Sequence, residues 1–342
     1  MELILKTNRN KVPFLLLLLC FFTNCSKDSV TAEPTNYNYF YPTDEATITA
    51  AQIGDGTGTL DPKGITISNE KLYVCNGDVL EIFNAVTLAH IKTVTAYTKG
   101  TTTIPFTRLT SVCVDNGKIY IGSVESRLFI LDETTTAGFS VLGNGQWWQT
   151  FVHVFGVVVR DGLVFVKEKE TSIKVFETSQ ITETSNWNLT PYAKLSTLNG
   201  FDQLYSMDIE TGNLVVAGRD VKSYLYYNIA DIKANAVKSL TEPLKPVTVP
   251  FDAKPIAVNF SADWAITSEN LGSLNYLRLY PKNEFLKYNF TPRVNASDIM
   301  GQNPFGTIVG IAQLNDRIFL ADNTNKKIRV IKINKSTIAE QN

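Results

Sequence analysis

Residues 64–83 read GITISNEKLYVCNGDVLEIF, and the fold follows from this stretch. Three apolar runs, 64–67, 71–75 and 79–83, are separated by the triplets Ser68-Asn69-Glu70 and Asn76-Gly77-Asp78. β-Branched and aromatic residues in the runs, with turn formers between them, predict three antiparallel strands joined by tight turns. The first run recurs at 111–114 (SVCV), 156–159 (GVVV), 206–209 (SMDI), 256–258 (IAV) and 309–312 (VGIA). Each is followed by a second run (118–122, 163–167, 213–218, 263–268, 317–322) and a third (127–131, 172–176, 223–227, 274–279, 327–333). Restarts about every 45 to 53 residues, built only from strands, have the spacing of propeller blades.

Fourth strands are less regular, as an outer and more exposed edge should be: 90–95, 139–142, 192–195, 245–249 and 285–290. None follows the third run of the sixth unit, which ends near Asn334 and would leave an edge open to pairing with another chain. Residues 46–53 (ATITAAQI) alternate and carry β-branched side chains, so they are predicted to supply that strand and close the ring. The expected fold class is therefore all-β, a six-bladed β-propeller with four-stranded blades over residues 45–335, with a tail at 336–342. Seven blades would need repeats of about 42 residues, shorter than any present.

The first residues read as an address. Lys6, Arg9 and Lys11 form a basic region before the apolar run 12–22, which is too short to span a bilayer. It ends in Thr23-Asn24-Cys25-Ser26-Lys27-Asp28, which resembles the processing site of a bacterial lipoprotein, though Thr23-Asn24 is bulkier and more polar than the usual small pair. The resemblance implies a signal peptide at 1–24, acylation of Cys25, and a chain tethered to the outer membrane through a flexible segment at 25–44. A plain secretory signal is the alternative, and Cys20, inside the apolar run, is the competing cysteine. Without the signal the chain holds 29 basic and 32 acidic residues, net −3, which excludes a polybasic membrane patch or a nucleic-acid footprint.

Within the repeats, residues 60–67 (LDPKGITI) followed by Lys71-Leu72-Tyr73-Val74 resemble the Pro-x-Gly-Ile-x-Val and Ile-Tyr-Val runs of NHL repeats. Residues 317–322 (RIFLAD) and 325–330 (NKKIRV) resemble the other half of that repeat. The resemblance is best in units 1, 2 and 6 and fades through 4 and 5. It implies a fold and no particular activity.

Propeller wiring places the connections between blades, and the turns between second and third strands, on one face around the channel. In this chain that face collects the candidate ligand-binding residues Arg108, Trp147, Trp148, His153, Asp202, Arg219, Asp252 and Glu269. Asn76, Glu125, Arg127, Lys167, Glu168, Asp220, Lys254, Asn270, Asn303 and Asp322 share it. Aromatics interspersed with charges suit a polar organic ligand such as a glycan or a ring-bearing nutrient. Phe106, Phe201, Phe251 and Phe305, one per connection, read instead as plugs between adjacent blades. Trp147-Trp148 breaks the repeat, and in an extended segment one ring can be buried while its neighbour faces the opening.

Catalytic constellations are largely missing. With only His90 and His153, a three-histidine zinc site cannot be built. A calcium-dependent, lactonase-like hydrolase is the alternative, drawing oxygens from Asp202, Asp252, Glu269, Asn270 and Asn303, but their spacing matches no known motif. The chain reads as an envelope lipoprotein that captures a small molecule, glycan or protein, with an outer-membrane transporter as a candidate partner and no cofactor required. Cys75 and Cys113 read as two separately buried thiols.

Overall fold

The computed structural model describes residues 36–53, 58–142, 153–168, 172–185, 189–196, 206–219, 222–235, 245–248, 253–287, 289, 292–296, 300 and 304–339. Among these the chain forms six four-stranded antiparallel sheets and one two-stranded hairpin. The inner strands are Pro62–Ser68, Leu109–Asp115, Val154–Arg160, Met207–Glu210, Lys254–Phe260 and Ile308–Leu314. Each touches the next and the sixth touches the first, so the ring closes at six blades. Contacts divide the chain into the compact unit Phe40–Lys335 and a second unit made of Met1–Tyr39 with Ser336–Asn342.

The alternation of buried side chains explains why the second strands read as continuous apolar runs. In Lys71–Asn76, Leu72 and Val74 pack toward blade 6, while Tyr73 and Cys75 pack toward blade 2. Both faces of a blade are covered by neighbours, so both sets must be apolar. Six clusters of buried residues result, one in each gap between blades. Phe106 lies in the gap between blades 1 and 2 and Phe305 in that between 5 and 6, the plug positions expected of them. Cys75 and Cys113 are free thiols, and burial pushes the Cys113 thiol up to about 12.

The two faces of the ring are built differently. Hairpins between first and second strands turn on two residues with positive φ: Asn69-Glu70, Asn116-Gly117, Asp161-Gly162 and Thr211-Gly212. Their twist matches that of the paired strands, which keeps this face short. The opposite face carries the long connections between blades; the connection from blade 1 to blade 2 includes the hairpin Ala96–Lys99 with Thr102–Pro105, which runs along the outer strand of blade 2.

Two sequence expectations shift. An N-terminal strand does complete blade 6, but it is Asn36–Ile48, beside Lys327–Ala339, rather than residues 46–53. Residues 50–52 of the expected strand form a short 3-10 turn that the Gln52 side chain ties back to Thr49. Blade 5 takes Val294–Asn295 as its fourth strand rather than residues 285–290, because Lys282–Phe285 is a helical turn that drives Phe285 into the gap between blades 4 and 5. A second helix, Ile229–Asn235, precedes the fourth strand of blade 4 and adds Ile229 and Ile232 to the core between blades 3 and 4.

Candidate functional site

The loop-rich face rests on a repeated polar device. At or near the ends of the second strands, equivalent positions are occupied by Asn76, Ser123, Glu168, Glu269 and Asp322, all buried. Each pairs with an inner-strand residue that immediately precedes a register shift: Pro62, Leu109, Val154, Pro255 and Ile308. The buried side chain then fastens nearby backbone or a charged partner. Asn76 accepts from the Asp61 N–H at 2.7 Å and donates to the Thr59 carbonyl at 3.0 Å. Ser123 donates to the Thr107 carbonyl at 2.5 Å, and Asp322 accepts from the Gly306 N–H at 3.1 Å. Glu168 accepts from Lys174 at 2.9 Å, and the Lys167 ammonium donates to its carbonyl at 2.5 Å.

Glu269 holds the densest of these clusters. It is fully buried and accepts from Tyr224 at 3.0 Å, Tyr280 at 2.9 Å, Thr267 at 3.1 Å and the Arg278 guanidinium. Burial beside this carboxylate pushes the Tyr224 and Tyr280 hydroxyls well up from their ordinary range. A carboxylate so enclosed braces blades 4 and 5 and has no surface to offer a ligand.

The register shifts expose what the strand ends do not. A bulge inserts an unpaired residue and re-aims its side chain. The bulge residues of blades 1, 2 and 3 are Lys63, Thr110 and Phe155, and all three line one cavity of about 310 Å³ on the loop-rich face. The corresponding Ile256 and Val309 of blades 5 and 6 are apolar and buried. Thr110 donates to the Val154 carbonyl at 2.6 Å and so locks the second bulge onto the third blade.

Arg108 completes the cavity wall. Its φ is +42°, uncommon for a residue with a side chain, and Asp78 holds it there by accepting the Arg108 N–H at 2.6 Å. The guanidinium is exposed and meets Glu125 at 3.1 Å. His153, one repeat later, has φ +50°; its N–H donates to Ser126 at 3.2 Å and its ring Nδ1 meets the Val124 carbonyl. Arg108 and His153 are therefore both fastened to the turn Val124 to Ser126. Their equivalent places in successive repeats concentrate backbone strain beside the cavity. Below Lys63, Asp61 accepts from Asn323 at 2.7 Å and from Lys326. Burial alone would raise the Asp61 carboxyl, but Lys326, Lys63 and Asn323 outweigh it and hold it below the usual range.

Arg219 follows the second strand of blade 4, half-buried and away from this cavity. Cys25, Trp147, Trp148, Asp202, Asp220, Asp252 and Asn303 lie outside the described residues. Among the described residues, no three His, Cys, Asp or Glu side chains converge as a metal ion would need. Asn270 donates to Asn275 at 3.0 Å, and Asn275 donates to the Phe305 carbonyl at 3.2 Å.

All six inner strands line the channel, a cavity of about 540 Å³. Asp208 lies in its wall and accepts from the Phe260 N–H at 2.7 Å and from Asn259 at 3.1 Å. Burial pushes its carboxyl up to about 6. Sequence reading missed Asp208, Lys63 and Phe155. For the last two the signal was present: a Lys and a Phe stand one place before Gly64 and Gly156, at the head of an otherwise small-residue inner strand.

Fold and face together define a six-bladed β-propeller with one loop-rich, cavity-bearing surface. No protein-family model matches the chain, and no curated protein sequence matches it. Solved structures resemble it in fold. A chain of the mitotic checkpoint complex is 12% identical with a TM-score of 0.53, over 85% of this chain and 91% of that one. The WD40 β-propeller domain of Doa1 is 13% identical with a TM-score of 0.51, over 86% and 97%.

Proposed function

We propose that this chain is a lipid-anchored envelope protein that uses its loop-rich propeller face to capture a ring-bearing organic anion. The observation that carries the reading is the cavity lined by Lys63, Arg108 and Phe155: two cations and a partly exposed ring converge in about 310 Å³. Such a pocket, apolar with a few placed charges, suits an aromatic carboxylate. Lys63 lies 3.7 Å from Asp61, which Lys326 and Asn323 also engage, and Arg108 lies 3.1 Å from Glu125, so three cations around the cavity face two carboxylates. NHL-like residues in blades 1, 2 and 6 supply the frame and specify no ligand. Acylation is tested by the mass of the mature N-terminus and by release of a Cys25→Ser chain from the membrane fraction.

Ligand capture is tested on residues 26–342 by tryptophan fluorescence and melting temperature against aromatic carboxylates, corrinoids, haem, glycans and calcium. A shift with an organic anion, abolished in Arg108→Glu, is the expected result. A shift with calcium alone would replace capture by the hydrolase. Silence across the panel would favour a protein partner, a role for which one structural neighbour, part of a checkpoint complex, offers a parallel in fold.

A further inference from the structure

The turn-bearing face carries a cavity of its own, between blades 5 and 6, of about 530 Å³. It is unrelated to the bulges of blades 1 to 3 and contains none of the residues singled out in the sequence. Two aromatic rings shape it: Phe40 meets Trp264 edge-on, with ring centroids 4.9 Å apart and an interplanar angle of 82°. Phe260 also borders it, with its ring packed against Phe285 in the gap between blades 4 and 5.

The polar side of this cavity is rich in acceptors. The Gln313 amide nitrogen donates to the Asn315 carbonyl, while its buried Oε1 has no donor. An enclosed carbonyl oxygen without a donor is unfavourable, so a hydroxyl or an amide N–H that reaches it would be held there. Asp263 and Asn315 are exposed on the rim. Charge at the rim is balanced: Asp316 is paired with Lys332 at 3.4 Å, and Lys335 shares the lining with Asp263. That balance disfavours an ion as occupant. A neutral molecule that offers hydroxyl donors on its edges and C–H groups on its faces fits all of these features at once, the C–H faces lying on aromatic rings whose faces are electron-rich.

We propose that the crevice between blades 5 and 6 is a saccharide-binding site, with Phe40 and Trp264 as its aromatic wall and Gln313 and Asp263 as acceptors of sugar hydroxyls. It is separate from the anion cavity on the loop-rich face and does not depend on it. Gln313 also lines the central channel, so an occupant of the crevice would touch the channel wall.

The test is titration of residues 26–342 with methyl glucoside, N-acetylglucosamine and maltose, followed by isothermal calorimetry and tryptophan fluorescence. At least one probe should bind saturably. Gln313→Leu should weaken it on the order of tenfold, equivalent to one lost hydrogen bond of about 1.4 kcal/mol, without lowering the melting temperature. Phe40→Ala should weaken it similarly, and Lys63→Glu with Arg108→Glu should leave it unchanged. No saturable binding of any of the three sugars would overturn the proposal. So would binding that Gln313→Leu and Phe40→Ala leave intact, or binding that the Lys63 and Arg108 substitutions abolish.

Discussion

Glu269 shows how a single polar side chain can be misread when only its neighbours in sequence are visible. Charged residues in a turn between second and third strands look like a binding rim, yet this carboxylate is enclosed by two tyrosines, a threonine and an arginine. Removing one member of a buried ion pair leaves the other unpaired, so Glu269→Ala should lose about 3–5 kcal/mol, read as a lower urea midpoint at unchanged slope. Asp208 has a different consequence. Its carboxyl titrates at about 6 in the folded chain against 3.8 when free, so the native state binds the extra proton. Its favourable contribution is complete below the free value and is lost as pH rises through the folded one. Relative to Asp208→Asn, the wild type should lose up to about 3 kcal/mol of stability between about pH 4 and pH 7, read from denaturation midpoints. A flat difference between the two across that range would refute the assignment.

At the level of strands, the outer strand of blade 6 decides whether the ring is closed. Arg329, buried and set over the Phe305 ring at 4.6 Å, donates to Asp44 at 2.6 Å, and Arg317 donates to Glu45 at 2.9 Å. Asn334 donates to Thr43 at 2.9 Å. A chain beginning at residue 49 loses all of these and bares the edge of Lys327–Ala339. It should associate or unfold without cooperativity in gel filtration and melting, whereas a chain beginning at residue 36 should behave as the full one does. The inner three strands of every blade were legible because burial on both faces leaves unbroken apolar runs. Outer strands were harder. One side of an outer strand meets solvent, so residues 36–45 carry mixed polar and aromatic character, while 46–53 alternate more cleanly and drew the assignment. Blade 5 misled for a related reason: Phe285 and Phe290 look like strand residues, but the helical turn after Pro281 spends Phe285 on the core. Bulges belong to a pair of strands and not to either sequence, so the cavity made by Lys63, Thr110 and Phe155 could not be seen until the register was known.

At the scale of the whole propeller, Phe40–Lys335 form a ring with a buried apolar core in each of its six gaps, which leaves the two faces free to differ. Adjacent inner strands approach so closely that a Cβ at Gly64 would lie 2.5 Å from the Ser111 Cα, so the channel wall tolerates little change there. Of the two cavities, one lies among the connections of the loop-rich face and the other at the junction of blades 5 and 6. Fold class and the location of the loop-rich face were legible from the repeat; the particular residues of each cavity were not, because they are assembled from three blades in one case and two in the other. The most direct test of the account is calorimetric titration of benzoate and indole-3-acetate into the wild type and into Lys63→Glu with Arg108→Glu. Saturable binding by the wild type, weakened at least about tenfold by reversing the two charges, is the result predicted. Binding of equal strength in both proteins, or none in either, would contradict the use of this face for organic anions.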